Sequence, residues 1–307
     1  MEQNIENKES KPEHTKSWLD RYYKLLMLIP IIIMIFCLVY LGIFYSQHND
    51  FILKDIGLSG GTSITLTVNS DFKLSFEELE SQLKEKVDDV SLRKLADIKT
   101  GNPIAYIIDS AKSPEELRPL VEEVVGYSLD EENSSTEFSG SSLGANFYKQ
   151  LIMALVISFM LMSIVIFIMF RTFIPSIAVI FAAFSDIVMP LALLDFLGVK
   201  ISAAGIAAFL MLIGYSVDTD ILLTTRAIKT REGRVNSRIY GAFKTGIFMT
   251  ITALLAVIPA FFLVTGLPDS FRQIFLILGL GLAADIINTW MTNVGIIKWY
   301  CEKHNIT

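Results

Sequence analysis

The 307-residue chain holds only two cysteines and three histidines, and each scarcity removes a class of chemistry. Two cysteines cannot build a disulfide framework. Cys37 lies inside an apolar run and Cys301 near the end of the chain, so redox chemistry is not indicated. His14, His48 and His304 sit at tails or at the edges of apolar runs, where none is placed to serve as a general base. No G-x-x-x-x-G-K-[ST] occurs, and Lys244-Thr245 lacks a preceding glycine-rich loop, so no ATP site, cofactor or metal is expected. Basic clusters interleaved with aromatics are also missing, which argues against nucleic acid as a partner. Gly140–Gly144 (GSSLG) spells a G-x-S-x-G, but a nucleophile elbow needs strand–turn–helix context and a partner histidine. The chain is therefore not read as an enzyme.

What the chain has in excess is apolar sequence. Hydrophobic residues make up 52%, above the roughly 45–50% of soluble domains, and the mean hydropathy is +0.50. Residues 25–45 form an apolar run of a length that crosses a ~30 Å hydrocarbon core. It lacks a cleavage site and is too long for a signal peptide. Five more runs follow, at about Phe147–Phe170, Ile174–Leu194, Ile201–Thr225, Gly246–Val264 and Phe271–Ile297. Charge divides the chain further. Between Ser46 and Asn146 there are 9 basic against 19 acidic residues, whereas the remainder has 17 against 13. An acidic, solvated segment is thus inserted into a basic, apolar frame.

Orientation follows from the basic residues. With the N-terminus inside, fourteen Lys/Arg fall on inward segments and three (Lys149, Lys200, Arg272) on outward ones, a positive-inside bias. The expected architecture is a polytopic α-helical protein of the cell membrane, its lipids included among the partners. It has a cytosolic basic tail (1–24), a first transmembrane helix (25–45), an extracytoplasmic domain (46–146), helices two to six (147–298) and a cytosolic tail (299–307).

Residues 46–146 carry their own α+β pattern. Thr62–Val68 alternates as a strand. Ser75–Val87 has helical periodicity, with Ser75 and Glu78 as a capping box. Val90–Ile98 and Pro103–Asp109 read as strands, Ser113–Val125 as a helix with Pro114 in its first turn, and Tyr127–Ser139 as room for a last strand. The order βαββαβ predicts a ferredoxin-like sandwich, a binding or docking module. Asn133-Ser134-Ser135 is a glycosylation sequon whose use depends on the host.

The chemistry-bearing residues lie in the membrane runs. Asp186 falls near the middle of the third helix, Asp218 and Asp220 on the inner half of the fourth, and Asp285 with Asn288 midway along the sixth. Arg226 and Lys244 lie near the cytosolic ends of the fourth and fifth. A carboxylate at the bilayer centre costs roughly 2.5–3.5 kcal/mol on insertion scales, so acids on three helices point to a shared interior or hydrated path. The plainer reading is a carboxylate paired for packing. Asp218 and Asp220 are about 200° apart around a helix, so they cannot face one cavity. Asp218, the deeper, is expected to be the main proton carrier, with Asp220 in a positioning role. Small residues on the fourth and sixth helices, Gly205, Ala208, Gly214, Gly279 and Gly281 among them, suit close helix packing.

These stretches resemble the SecF branch of the SecD/SecF protein-export family, within the RND superfamily, and its archaeal form in particular. The resemblance rests on GLSGGT (Gly57–Thr62), on GSSLGANF before the second helix, and on Ser185-Asp186 in the third. GYSVDTDILLTTR (Gly214–Arg226) with the following REG is its most specific part, and KTG (Lys244–Gly246) with Thr250 completes it. It implies SecD, the Sec channel and a translocating polypeptide as partners, and proton movement through the intramembrane acids. Bacterial members carry the acid one position later, where Thr219 stands here, so Asp218 aligns instead with the acid of SecD. They carry Arg where Lys244 stands. Two other classes compete. An intramembrane aspartyl protease needs G-x-G-D, and Tyr215-Ser216-Val217 precedes Asp218. A stand-alone RND exporter has a duplicated set of six helices, of which one is present, leaving half an exporter as the alternative.

Overall fold

The computed structural model describes residues 18–68, 72, 74–87, 90–96, 100–230, 233–263 and 269–306. Most of the basic tail and the Arg231-Glu232 pair of the REG motif lie outside the described residues. Each long apolar run forms one helix, because a helix satisfies its own backbone where no water can. In chain order these are α1 (Trp18–His48), then after the inserted domain α5 (Ser141–Phe170), α6 (Phe173–Phe196), α7 (Ala203–Ile228) and α8 (Val235–Leu263). The last run is α9 (Asp269–Ile287), continued through a π-helical turn (Asn288–Asn293) into α10 (Val294–Lys303). All six are long and apolar enough to cross a membrane. Several exceed their expected bounds, since polar residues at the ends extend each helix beyond the hydrocarbon length.

Exposure within the bundle is uneven. The spans of α5 and α8 are mostly exposed, with Met160, Ile168, Leu255 and Leu263 pointing outward, while those of α6 and α7 are more than half buried. The centre of the bundle is therefore α6, α7 and α9. Close approach is possible there because a side chain at Gly281 would overlap that of Leu212 on α7.

Between α1 and α5 lies the small domain. After a single turn, α2 (Ile56–Ser59), come β1 (Gly61–Thr67), α3 (Phe76–Lys86), β2 (Ser91–Ala96), β3 (Pro103–Ser110), α4 (Pro114–Val125) and β4 (Ser134–Ser139). The sheet order is β2-β3-β1-β4, with every neighbouring pair antiparallel. Ile64 pairs with Ile108 and Leu66 with Tyr106, so one face of the two central strands is apolar. It packs on Leu79 and Leu83 of α3 and on Leu117 and Val121 of α4, each fully buried aliphatic side chain contributing about 1.5–3 kcal/mol. Ser75 and Glu78 form the capping box at the start of α3, and Gly126, at φ +81°, closes α4.

The GLSGGT stretch joins domain to bundle. Gly60 and Gly61 have φ of +86° and +129°, and a Cβ on Gly60 would lie 2.3 Å from the Ser141 Cα. Glycine lets the domain entry cross the first turn of α5. Backbone bonds from Asp55 N to Ile201 O and from Ile201 N to Leu53 O tie the same entry to the α6–α7 loop. Beside them the buried Asp109 on β3 accepts from Ser63 at 2.8 Å and pairs with Arg93 at 2.9 Å and Lys200 at 3.4 Å.

Candidate intramembrane carboxylate site

Three of the expected acids meet inside the bundle. Asp186 on α6, Asp220 on α7 and Asp285 on α9 are each 0% exposed. Helix periodicity places them. On α7, Ser216, Thr219, Asp220 and Leu223 share the face turned to α9. On α9 and the π turn, Asp285, Thr289 and Asn293 recur every four residues. Hydroxyl and amide groups surround the acids. Ser216 Oγ lies between Asp186 Oδ2, at very short range, and Asp285 Oδ1 at 3.2 Å. Asp285 also accepts from Thr219 at 3.0 Å, from Thr289 at 3.0 Å and from Thr250 of α8 at 3.5 Å. Thr289 Oγ1 is 2.8 Å from Asp220 Oδ1. Asn288 donates to Asp186 at 2.7 Å and Asn293 to Asp220 at 2.6 Å.

Among the described residues no Lys, Arg or His pairs with any of the three acids, so hydroxyls, amides and protons must offset their burial. Such a set can hold and pass protons between helices. The π turn contributes directly. Its i→i+5 bonding widens the turn, which lets Asn288 and Asn293 both reach the acids. In an α-helix, residues five apart lie about 140° from each other.

The other three expected site residues are not part of this cluster, and of the two α7 acids it is Asp220, not Asp218, that is buried. Asp218 is exposed on the opposite face of α7, because about 200° of helix separates it from Asp220, the buried member. Arg226 reaches α8 instead, donating to Gly241 O at 2.7 Å and Thr245 Oγ1 at 3.1 Å. Lys244 is exposed and lines a shallow depression with Thr245, Phe248, Met249 and Thr252. Ser216, Thr219, Thr289 and Asn293 were not singled out from sequence. Their signal was nevertheless present, as polar residues repeating at three- and four-residue spacing on one face of an apolar helix.

The six apolar helices, the inserted α+β domain and the acid–hydroxyl core define a polytopic membrane protein with a cluster of polar residues inside the bundle. Residues 121–303 match the family described as protein export membrane protein SecD/SecF, C-terminal. The chain is 35% identical over 287 residues to the protein-export membrane protein SecF of Methanolacinia petrolearia, covering 93% of this chain and 96% of that one. It is 36% identical to the protein of the same name from Methanocaldococcus jannaschii over 92% of this chain and 97% of that one. The chain belongs to the SecD/SecF family of protein-export membrane proteins. In fold it is similar to the crystal structure of SecDF, a translocon-associated membrane protein from Thermus thermophilus, with a TM-score of 0.68 at 16% identity. It covers 91% of this chain and spans 38% of that longer one.

Proposed function

We propose that this chain is a SecF-type accessory subunit of protein export that pairs with SecD and is not itself an enzyme. The likeness to proteins named SecF along nearly their whole length supports the role. The fold likeness to less than half of SecDF supports a chain that needs a partner for the rest. In this reading both termini are cytosolic, in keeping with the basic residues gathered at the helix ends away from the small domain. Residues 46–146 then face outward as a ferredoxin-like module that meets the translocating polypeptide beside the Sec channel. The strand order β2-β3-β1-β4 within βαββαβ supports that assignment.

The observation that carries the mechanism is the group of three buried carboxyls, with no cation beside them among the described residues, on three helices that would move relative to one another. Protons taken up and released there would drive motion, and the ties of the α6–α7 loop to the domain entry would carry that motion outward. Exposed Asp218 and Lys244 suit another role. A carboxylate on the outer face of a membrane helix is costly in lipid, so this face of α7 and α8 is assigned to the SecD contact. Proton uptake by vesicles holding this chain with SecD tests the proposal. Uptake under an imposed pH gradient is expected, and no flux in vesicles shown to contain the assembled pair would count against it.

A further inference from the structure

The buried acids and hydroxyls form one continuous chain: Asp186, Ser216, Asp285, Thr289, Asp220. Each hydroxyl in it touches two carboxyls, yet each carries a single hydrogen. The four links therefore need four hydrogens, of which Ser216 and Thr289 supply two. Fewer leave bare oxygens in contact within a water-poor interior, and more leave a hydrogen without an acceptor in the chain.

We infer that the three carboxyls together hold two protons and one negative charge, and that Ser216 and Thr289 relay this charge between Asp186 and Asp220. The inference rests on the proton-coupled reading above and gives it a stoichiometry. Three arrangements satisfy every link. With the charge on Asp220, Asp186 donates to Ser216, Ser216 to Asp285, Asp285 to Thr289, and Thr289 to Asp220. Reversing all four bonds places the charge on Asp186. With the charge on Asp285, both end acids donate toward it through the two hydroxyls. Each conversion moves a carboxyl proton onto a hydroxyl oxygen while that hydroxyl's own proton passes to the next carboxylate, so protons and charge balance.

The surroundings fit a charge that shifts. Asn288 donates to one end acid and Asn293 to the other, so both ends have the same kind of anion stabiliser. Thr219 also lies 2.8 Å from Ser216 O, and Thr250 3.3 Å from Gly246 O. Their hydrogens can thus turn toward Asp285 when it is charged and toward a carbonyl when it is not. At the Asp220 end, Asp220 Oδ2, Thr224 Oγ1 and Asn293 Oδ1 are buried without a partner among the described residues. Thr224 lies one turn beyond Asp220 on α7, so the polar surface of the chain extends that far toward Arg226.

The test uses the full chain carrying ¹³C-aspartate, reconstituted with unlabelled SecD in lipid vesicles. Infrared spectra of the labelled protonated-carboxyl band, calibrated against exposed acids titrated in the same sample, count the protons. Two per chain near neutral pH are expected, and none, one or three would overturn the inference. Proton flux is then compared among variants that co-purify normally with SecD. Ser216→Ala and Thr289→Val should each lower flux about a hundredfold, the scale on which a placed proton carrier acts. Ser216→Thr and Thr289→Ser, which keep the hydroxyl, should retain most of it. Unchanged flux in Ser216→Ala and Thr289→Val overturns the relay. Absent flux in the wild type, with two carboxyl protons present, instead sinks the proton-coupled reading and leaves the two-proton chain standing.

Discussion

Replacing Asp220 with alanine removes the acceptor for Thr289 and Asn293. Thr289 has a second acceptor in Asp285 at 3.0 Å, so its hydrogen can be redirected. The Asn293 amide hydrogen has no second acceptor among the described residues, and a buried donor without an acceptor costs about 1–3 kcal/mol. Asp218→Ala acts on an exposed residue of the same helix, two positions away, and should stay within about 0.5 kcal/mol. The same pair should separate in function, with proton uptake lost in Asp220→Ala. Thermal unfolding of this chain purified alone in detergent, where Asp218 meets no partner, measures the first effect, and uptake in vesicles that hold the chain with SecD measures the second. Equal destabilisation by the two substitutions, or a larger one from Asp218→Ala, would refute the placement of Asp220 as the interior acid.

Three further outcomes follow from the domain and its attachment. Gly60→Ala forces a Cβ to within 2.3 Å of the α5 backbone at a φ of +86°, so it should expose the domain entry to protease. Gly57→Ala meets nothing within 4 Å and should not. Asp109→Ala removes the acceptor of the Ser63 hydroxyl and of two cations, and should destabilise by about 1–3 kcal/mol. Lys200→Ala breaks only a long, partly exposed pair and should cost under about 1 kcal/mol, as thermal midpoints would show. Glu78 has its pKa held below its ordinary 4.5 by bonds from the Ser75 backbone N–H and hydroxyl. A carboxyl depressed in the folded state stabilises above its unfolded pKa, and this is lost as pH falls through the folded value. Protection of the first-turn amides of α3 from hydrogen exchange should therefore drop below about pH 4.5 in the wild type. The Glu78→Gln variant should lack that step.

Much was legible from residues alone, for local reasons. Six helices follow from six apolar runs, since backbone in lipid has few alternatives. The strands and helices of the small domain follow from alternation and from caps such as Ser75 with Glu78, each encoded within a few neighbouring positions. That Asp218 and Asp220 must part company also followed from sequence, because the angle between them is a property of any α-helix.

Which of the two turns inward was decided only in the tertiary structure. That depends on the rotation of α7 against α6 and α9, set by ridge packing and by small residues such as Gly281 opposite Leu212. Depth along the helix favoured Asp218, whereas packing placed Asp220 inside. The π turn was invisible as well, because its stretch, NTWMTN, has no distinct local pattern. Only its tertiary setting turns Asn288 to Asp186 and Asn293 to Asp220. Sequence determined that carboxyls would lie within the membrane. The meeting of three of them through Ser216 and Thr289 is a relation among three helices distant in the chain, and it exists only once they pack.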